Sequence, residues 1–521
     1  MKLETGLGLL TLCLTFSPVA VMAQSRSACE AMMDYTLDDR NLEITGAHWH
    51  EAREVANRFG PSLVLPPHCR LDGVIDRRIG VNDQEYGIGF AINLPDDWNG
   101  RFLFQGGGGL NGEIREPLGV QAAGSVNALD RGFAVVSNDT GHAARYPFDI
   151  GFFDDQEASL NFWYKANPKV AELAKLIVRD YYVQDIDYSY FVGCSTGGRE
   201  GMLMTQRYPD FFDGVVSGAP AMRTSVSNIG IRWVGVQLNQ AAPRDDNGKP
   251  MPGPMLSEAE RTLVIDSLKA RCDTMDGAAD DLLFNPQACD FDARQIACGS
   301  EGAPANCLAP AKAEAIHNAM LGPRDSRGIQ VYPGFQYDPG IDDQPGLPGI
   351  LASTNNPPEG PGSEGELTID VDAQVMAFTK PHLIMGESTS VIMSSFSGKG
   401  GKQILYHGAA DPWFSVNETI RYYEEMAEAN GGMDTVRDWS RFFYVPGMAH
   451  CQGGDETLDS FDMLDAIVNW VEHDQAPEQV IATGRSMPGV SRPLCAWPEY
   501  PHYNGRGDIN NAANYSCREV E

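Results

Sequence analysis

The chain has 521 residues, which is long enough for about two to four domains. Its content of 42% hydrophobic and 21% charged residues is that of an ordinary globular protein and excludes a disordered or collagen-like chain. The formal net charge of −32 is spread along the sequence, so neither nucleic acid nor an anionic membrane is expected as a partner.

The first 23 residues predict a signal peptide that is removed before Gln24. Lys2 provides a weak positive start, residues 7–21 are largely apolar, and Val21-Met22-Ala23 ends in a small residue suited to cleavage. A membrane anchor is the alternative, but the apolar run is short for spanning and is interrupted by Ser17-Pro18. We therefore expect a secreted or periplasmic protein that has no membrane association after cleavage.

The cysteine content agrees with export. Of the eleven cysteines, Cys13 would be removed with the signal peptide and ten would remain. An even number in an exported chain predicts disulfide bonds rather than catalytic thiols or a zinc site. The sequence contains no C-x-x-C pair, which favours the same conclusion.

A glycine-rich segment follows a short apolar strand near residue 105. Residues 101–105 form the apolar run, and Gly106-Gly107-Gly108-Gly109 comes directly after it. Glycines in this position can turn backbone N–H groups toward a bound anion. A phosphate-binding loop is disfavoured because no Gly-Lys-Ser/Thr sequence follows, and an ordinary flexible turn is the alternative that stays open.

Strands and helices alternate in the next part of the chain. The sequence predicts strands at residues 132–137, 188–192 and 214–216, and a helix over 170–182 whose apolar residues cover one face. Such alternation predicts an α/β fold, with a mostly parallel sheet and helices on both faces.

The strand at 188–192 leads into a G-x-S-x-G sequence, Gly193-Cys194-Ser195-Thr196-Gly197, and a helical run follows from Arg199 to Tyr208. A strand, a sharp turn and a helix around a serine form a nucleophile elbow, in which the glycines let strand and helix approach closely. Ser195 is therefore the predicted nucleophile, and the start of its helix favours an oxyanion. An ordinary glycine-rich turn is the alternative.

Two backbone N–H groups are predicted to form the oxyanion hole of this elbow. In α/β-hydrolases the residue after the nucleophile, here Thr196, provides one donor. The loop after an earlier strand provides the other, here Gly108. The sequence therefore predicts an α/β-hydrolase sheet.

The alternation of strands and helices stops at about Met222 and returns at residues 402–406. The residues between are rich in Pro and Gly, with helical pieces at 257–270 and 310–320 and a long loop near 345–365. An insertion of this size within one catalytic domain indicates a lid, which would shape the substrate pocket and exclude water. The predicted domains are the signal peptide at 1–23, a catalytic domain at 24–221 and 399–521, and a lid domain at 222–398.

Asp411 and His450 complete a predicted catalytic triad with Ser195. Each follows a predicted strand, at the same edge of the sheet as the elbow, and the chain order Ser, Asp, His is that of α/β-hydrolases. His450 would accept the proton of Ser195, and Asp411 would orient the imidazole. His142 and His407 are the rival bases, since both lie close to sheet ends, although local packing is expected for each.

A cysteine adjoins both the predicted nucleophile and the predicted base. Cys194 precedes Ser195 and Cys451 follows His450, so a disulfide between them would join the elbow to the base loop. Such a bond would hold Ser195 and His450 at the separation that proton transfer requires. Cys194 is rejected as the nucleophile because its side chain, at the x position of the elbow, points away from that of Ser195.

These residues resemble a known family over essentially the whole mature chain. The sequence Gly-Cys194-Ser195-x-Gly-Gly-Arg-Glu200, with Asp411 and His450-Cys451 downstream, is similar to that of tannases and feruloyl esterases. The resemblance implies a secreted serine esterase that hydrolyses esters of aromatic, phenolic acids of the feruloyl or galloyl type through an acyl-enzyme on Ser195. A terephthalate half-ester hydrolase is one alternative, and a non-catalytic exported calcium-binding protein is another.

The resemblance also implies a structural Ca²⁺ in the lid, at residues 272–282. Three carboxylates around a glycine bend give the oxygen-rich surroundings that Ca²⁺ prefers, although the spacing is not that of an EF-hand. Carried over by position, the expected side-chain ligands are Asp273, Asp276 and Asp280, and the expected carbonyl ligands are Ala278 and Leu282. A solvated acidic loop is the alternative.

Further expectations come from the same resemblance. Phe414 resembles an aromatic position of the substrate pocket, where its ring would stack on a substrate arene, and core packing is the alternative. The family's pairing of the remaining cysteines implies four local disulfides, Cys29–Cys69, Cys272–Cys289, Cys298–Cys307 and Cys495–Cys517.

Overall fold

The computed structural model describes residues 26–38, 41–56, 62–146, 148–248, 255–342, 350–351 and 366–520. The predicted signal peptide at 1–23 and most of the predicted lid loop at 345–365 lie outside the described residues. Among the helices of the described ranges, none is both long and apolar enough to cross a membrane.

The strands of the described residues are numbered in chain order. They are β1 (Leu42–His50), β2 (Arg53–Val55), β3 (Leu63–Leu65), β4 (His68–Ile79), β5 (Glu85–Pro95), β6 (Arg101–Gln105), β7 (Ala134–Asn138), β8 (Tyr188–Cys194), β9 (Gly214–Gly218), β10 (Lys402–Gly408), β11 (Ser440–Val445), β12 (Gln479–Thr483), β13 (Ser491–Cys495), β14 (Tyr500–Tyr503) and β15 (Tyr515–Arg518).

The α-helices of the same residues are numbered likewise. They are α1 (Arg26–Ala31), α2 (Gln156–Leu160), α3 (Ala166–Tyr182), α4 (Thr196–Arg207), α5 (Thr224–Ala241), α6 (Glu258–Cys272), α7 (Pro310–Leu321), α8 (Val371–Phe378), α9 (Pro381–Ile384), α10 (Ser394–Ser397), α11 (Val416–Ala429), α12 (Met433–Val436) and α13 (Met463–His473).

Nine strands form one sheet in the order β1-β4-β5-β7-β6-β8-β9-β10-β11. Pairing from β7 to β11 is parallel, whereas β1, β4, β5 and β7 pair antiparallel with one another. The predicted mostly parallel sheet is confirmed, and the antiparallel extension is an addition that the sequence analysis did not anticipate. Because parallel strands end at a common edge, the loops after β6, β8, β10 and β11 lie together.

The central strands are buried on both faces, which explains their nearly continuous apolar sequences. On one face, Phe102 and Phe104 pack in a core that includes residues of α3, α4 and α11. On the other face, Leu103 and Tyr190 pack in a core that includes residues of α13. The predicted placement of helices on both faces is therefore confirmed.

The segment between β9 and β10 builds a hydrophobic core of its own. Helices α5, α6 and α7 contribute to it, and α5 packs against α7. Helix α6 begins after Ser257, whose side chain forms a capping box with Glu260. This separate core is consistent with an inserted lid, and the domain boundaries at 221/222 and 398/399 stay a prediction.

Candidate active site

Ser195 lies in a sharp turn between the end of β8 and the start of α4. Its backbone has φ 65° and ψ −125°, a conformation that side-chain-bearing residues rarely adopt and that is typical of strained functional sites. A Cβ on Gly193 would lie 2.6 Å from the carbonyl carbon of Gly197, and one on Gly198 would lie 2.2 Å from the Gly218 oxygen. Glycine is therefore required at both positions to form the elbow.

Asp411 and His450 form a short hydrogen bond in the loops after β10 and β11. The Nδ1 atom of His450 is 2.7 Å from Oδ2 of Asp411, whose side chain is buried. Burial alone would raise the pKa of Asp411, but His450 and His407 outweigh it and keep this pKa below its usual value. The ionised carboxylate accepts the Nδ1–H proton, which leaves Nε2 of His450 as the basic nitrogen.

The Nε2 atom of His450 is buried, and no group in the described part of the chain hydrogen-bonds to it. The structure therefore brings Asp411 and His450 together but contains no hydrogen bond between His450 and Ser195. Catalytic hydrogen bonds of this kind are often long in enzymes without substrate and shorten when substrate binds. Nε2 is thus a buried acceptor without a donor.

A disulfide bond joins the neighbours of Ser195 and His450. Cys194 and Cys451 are bonded with a Cα–Cα distance of 6.0 Å across a sequence separation of 257 residues. The elbow and the base loop are therefore covalently connected, as the sequence analysis expected. The four other disulfides of the structure are the local pairs implied by the resemblance, Cys29–Cys69, Cys272–Cys289, Cys298–Cys307 and Cys495–Cys517.

The two rival histidines are both buried and held locally. His407 contacts Thr419 Oγ1 at 2.7 Å and the Phe414 carbonyl at 2.9 Å, and its Nε2 lies 3.3 Å from Asp411 Oδ2. His142 stacks on Phe152 with ring centroids 3.8 Å apart, and burial lowers its pKa to about 4. His407 therefore supports the carboxylate of Asp411, and His142 is a neutral packing residue at physiological pH.

The glycine loop after β6 packs against the elbow. The N–H of Gly106 donates to the Val192 carbonyl at 2.9 Å, and a Cβ on Gly197 would lie 2.7 Å from the Gly107 oxygen. Thr196 is the first residue of α4, so its N–H has no partner within the helix. The two predicted oxyanion donors, Thr196 and Gly108, thus belong to segments that contact each other.

Three aromatic residues, which we call the aromatic wall, surround this site: Phe148, Trp413 and Phe414. The rings of Trp413 and Phe414 lie 4.8 and 5.4 Å from the His450 imidazole. The ring of Phe148 meets that of Trp413 edge-on, with ring centroids 6.5 Å apart. Its Cε1 atom would lie 3.4 Å from a Cβ on Gly109. Only Phe414 was predicted; the position of Trp413 next to it was a signal that could have been used.

A residue of the segment between β9 and β10 contacts the loop that carries His450. Asp338 is fully buried, and its two carboxylate oxygens each lie 3.1 Å from the N–H of Gly447, three residues before His450. The N–H of Gly340 donates to the same side chain at 2.8 Å. Burial raises the pKa of Asp338 to about 6. Asp338 is not among the site residues predicted from the sequence.

The three carboxylates expected to bind calcium accept hydrogen bonds or form an ion pair within the structure. Asp276 is buried without a cationic partner among its hydrogen bonds, accepting from Ala278 N–H at 3.0 Å and Phe284 N–H at 3.4 Å. Asp273 accepts from Asp281 N–H at 2.8 Å, and Asp280 pairs with Arg492.

The oxygen atoms of this stretch are the kind of ligand that a hard cation such as Ca²⁺ prefers. The carboxylates are close together and partly buried, so their negative charges are unfavourable unless a cation neutralises them. The repulsion from Asp280 and Asp273 adds to the burial that raises the pKa of Asp276 to about 7. Side chains alone do not complete a site: within the described ranges, no three His, Cys, Asp or Glu residues are grouped to hold a metal. The carbonyls of Ala278 and Leu282 would have to contribute.

Comparisons with known proteins agree with this geometry. A family model described as tannase and feruloyl esterase matches residues 69–362 and 368–518. The chain is 34% identical to the mono(2-hydroxyethyl) terephthalate hydrolase of Piscinibacter sakaiensis, over 95% of this chain and 92% of that protein. It is 29% identical to the "Probable feruloyl esterase B-2" of Neosartorya fischeri, over 93% of this chain and 92% of that protein.

Among solved structures, feruloyl esterase B from Aspergillus oryzae superimposes with a TM-score of 0.74 at 24% identity, covering 95% of this chain and 100% of that chain. The sheet and the elbow thus define an α/β-hydrolase. The chain belongs to the tannase and feruloyl esterase family, and it is a carboxylic ester hydrolase.

Proposed function

We propose that the protein is an exported serine esterase that hydrolyses esters of aromatic carboxylic acids, of the feruloyl or galloyl type, through an acyl-enzyme on Ser195. The observation that carries the proposal is the hydrogen-bonded pair of Asp411 and His450, which a disulfide connects to the elbow of Ser195. The aromatic wall beside His450 supplies faces on which an aromatic acyl group can stack.

The mechanism has two steps that share one oxyanion hole. The Ser195 hydroxyl attacks the acyl carbon while Nε2 of His450 takes its proton, and the N–H groups of Gly108 and Thr196 stabilise the oxyanion. His450 then gives the proton to the departing alcohol. In the second step, His450 takes a proton from water as the water oxygen attacks the acyl carbon; the bond from the acyl carbon to the Ser195 oxygen then breaks, His450 gives the proton to that oxygen, and the acid and free Ser195 are released.

A second substrate class, the half-ester of an aromatic dicarboxylic acid, is favoured by one observation. A Cβ on Gly108 would lie 2.3 Å from an Nη atom of Arg115, so this guanidinium contacts the loop of the oxyanion hole. A cation at the rim could bind a free carboxylate of the substrate. The terephthalate hydrolase among the relatives acts on a half-ester, as its name states.

Hydrolysis of methyl gallate, methyl ferulate and the terephthalate half-ester, compared by kcat/KM, decides between the two classes. We expect a preference for one of the two uncharged phenolic esters. A preference for the half-ester of 10-fold or more would replace the first class by the second.

Ser195→Ala tests the chemistry itself. Because the acyl-enzyme cannot form without this hydroxyl, we expect turnover to fall by at least ~10⁴-fold with an unchanged melting temperature. A fluorophosphonate probe should label the wild type and not the variant. Full activity of the variant would refute the assignment, and a wild type that is neither active nor labelled would favour the non-catalytic calcium-binding protein.

Three further features belong to the same proposal. A Ca²⁺ bound by Asp273, Asp276, Asp280 and the carbonyls of Ala278 and Leu282 would stabilise the lid and supply no step of the chemistry. The five disulfides support export to the periplasm or the medium. The catalytic domain would comprise 24–221 and 399–521, and the lid 222–398.

A further inference from the structure

Two side chains of α4 contact the glycine loop on either side of Gly108. The Thr196 hydroxyl donates to the carbonyl of Gly109, and the Oε2 atom of Glu200 accepts from the N–H of Gly107 at 3.0 Å. Thr196 and Glu200 are four residues apart and therefore lie on the same face of the helix, one turn from each other. Helix α4, which begins at the elbow, thus forms side-chain hydrogen bonds with the glycine loop at two positions.

Asn111 extends this contact around Gly108. Its side-chain amide donates to Oε1 of Glu200 at 2.7 Å, and its backbone N–H donates to the Gly108 carbonyl at 2.9 Å. A Cβ on Gly107 would lie 2.3 Å from the Asn111 amide nitrogen, so the side chain rests directly on the loop. The residue before Gly108 and the carbonyl of Gly108 are both held.

The buried position of the Glu200 carboxylate is unfavourable unless the carboxylate forms specific hydrogen bonds. Its side chain is buried, with the residue only 2% exposed, and burial raises its pKa, while Arg199, Gly107 and Asn111 act in the opposite direction. Burial of a carboxylate is unfavourable, and hydrogen bonds from the surrounding donors offset this cost in part. A residue that only filled space at this position would be apolar.

We propose that Glu200 is a positioning residue that fixes the backbone N–H of Gly108 in the oxyanion hole; this inference rests on the esterase function proposed above. One oxyanion donor, Thr196 N–H, belongs to α4 directly. Through Glu200, α4 also fixes the position of the second donor, Gly108 N–H. One helix therefore holds both donors at a constant position relative to Ser195.

Removal of the carboxylate should affect the transition state more than substrate binding. Loss of one oxyanion donor lowers kcat by roughly 10²–10³-fold, and a displaced donor loses most of this effect. For Glu200→Ala we expect kcat on an aromatic methyl ester to fall by about 10²-fold, with KM changed by less than about 3-fold. Affinity for an arylboronic acid, which forms a tetrahedral adduct with Ser195, should fall in parallel with kcat/KM.

Glu200→Gln is the conservative variant that should rescue the effect. Its amide oxygen can still accept from Gly107 N–H, and its NH₂ group can donate to Oδ1 of Asn111 once that amide rotates. This Oδ1 atom has no hydrogen-bond partner in the described residues. We therefore expect kcat of Glu200→Gln to remain within about 10-fold of the wild-type value.

Glu472→Ala is the matched control. Glu472 is a carboxylate whose side chain is 7% exposed, and it accepts hydrogen bonds from Arg101 and Tyr190 at the end of the sheet opposite to the glycine loop. Its removal should lower the melting temperature and leave kcat unchanged. If Glu200→Ala does not fold, Glu200→Asp keeps the carboxylate but is one methylene shorter, so it loses the hydrogen bond from Gly107 N–H, and kcat should again fall with KM nearly constant.

The outcomes separate this inference from the proposed function. An active wild type with equally active Glu200→Ala or Glu200→Asp, or with losses in KM alone, would overturn the positioning role and leave the esterase standing. A fall in kcat equal to that of Glu472→Ala at the same loss of stability would also overturn it. A wild type that hydrolyses no ester and fails to react with fluorophosphonate would overturn both.

Discussion

At the scale of single residues, the pKa of a buried carboxylate depends on the groups that contact it. Asp411 faces two histidines, and their protons outweigh the effect of burial, so its pKa stays below the usual value and it remains an ionised partner for His450. Within the described part of the chain, the donors to Asp338 are the backbone N–H groups of Gly340 and Gly447, so burial prevails and its pKa is raised. The two carboxylates therefore respond differently to pH.

Asp338→Asn should change the pH dependence of stability. The ordinary pKa of this carboxyl is 3.8 and the folded-state value is about 6, so the folded protein binds this proton more tightly than the unfolded chain does. The resulting stabilisation is fully present below pH 4 and is lost as the pH rises through 6. Of the nearby charges, Glu456 raises this pKa further and Lys269 lowers it.

We expect the free energy of unfolding of the wild type, relative to Asp338→Asn, to rise by about 1 kcal/mol per pH unit as the pH falls from 6 to 4. Urea unfolding of both proteins at several pH values measures this difference. Other carboxylates titrate in the same pH range, but both proteins contain them, so their contributions cancel in the difference between the two unfolding free energies. Parallel curves would contradict the raised pKa of Asp338.

At the scale of elements, the loops that carry Asp411 and His450 are held by segments distant in sequence. The segment between β9 and β10 contacts the first of these loops through the Tyr332 hydroxyl, which accepts from Ser415 N–H at 2.9 Å, and contacts the second through Asp338. The elbow holds the second loop through the disulfide of Cys194 and Cys451. The distance between Ser195 and His450 thus depends on contacts outside the strands that precede them.

The double substitution Cys194→Ser/Cys451→Ser should lower activity as well as stability. Without the bond, the base loop can move relative to Ser195, and the geometry for proton transfer is held less often; we expect kcat to fall by at least ~10²-fold. The bond closes a loop of 257 residues, so its loss should cost up to about 5 kcal/mol of stability. Steady-state kinetics and thermal unfolding measure the two effects.

Cys298→Ser/Cys307→Ser provides the control for this experiment. These cysteines form a bond that spans only 9 residues of the lid, so its removal should lower stability less and leave kcat near the wild-type value. A wild-type kcat in the Cys194/Cys451 variant, at a temperature where it remains folded, would show that the disulfide serves stability alone.

At the scale of the whole molecule, the acidic lid stretch is connected to the C-terminal hairpins. Asp280 pairs with Arg492 of β13, and a Cβ on Gly277 would lie 2.9 Å from the His502 ring of β14. A cation bound here would therefore stabilise contacts between the inserted segment and the end of the chain. Its effect should be on stability far more than on the chemical step.

Chelation tests this expectation. If Ca²⁺ binds the folded protein and not the unfolded chain, saturating metal stabilises it by about 4 kcal/mol at 1,000 times the dissociation constant. We expect EGTA to lower the melting temperature of the wild type and to leave kcat at 25 °C nearly unchanged. Asp276→Asn should melt at a temperature that EGTA no longer affects, and an unchanged melting temperature of the wild type in EGTA would contradict the site.

The sequence was sufficient for features that depend on local pattern. The run from Tyr188 to Arg207 encodes strand, elbow and helix within 20 residues, because the glycines required by the close approach stand at fixed offsets from Ser195. Helix α6 is marked by Ser257 and Glu260 in the same way. Asp411 and His450 follow apolar strands, so their common edge could be inferred from the rule for parallel sheets.

Contacts between distant segments could not be read in this way. Trp413 and Phe148 meet beside His450, Asp338 reaches Gly447 from the lid, and Glu200 meets the glycine loop 93 residues earlier. A hydrophobic period shows which face of an element is buried, but not which side chain of another element it meets there. That choice depends on strand register, on loop course and on the packing of the inserted segment, all of which are set when the whole chain folds.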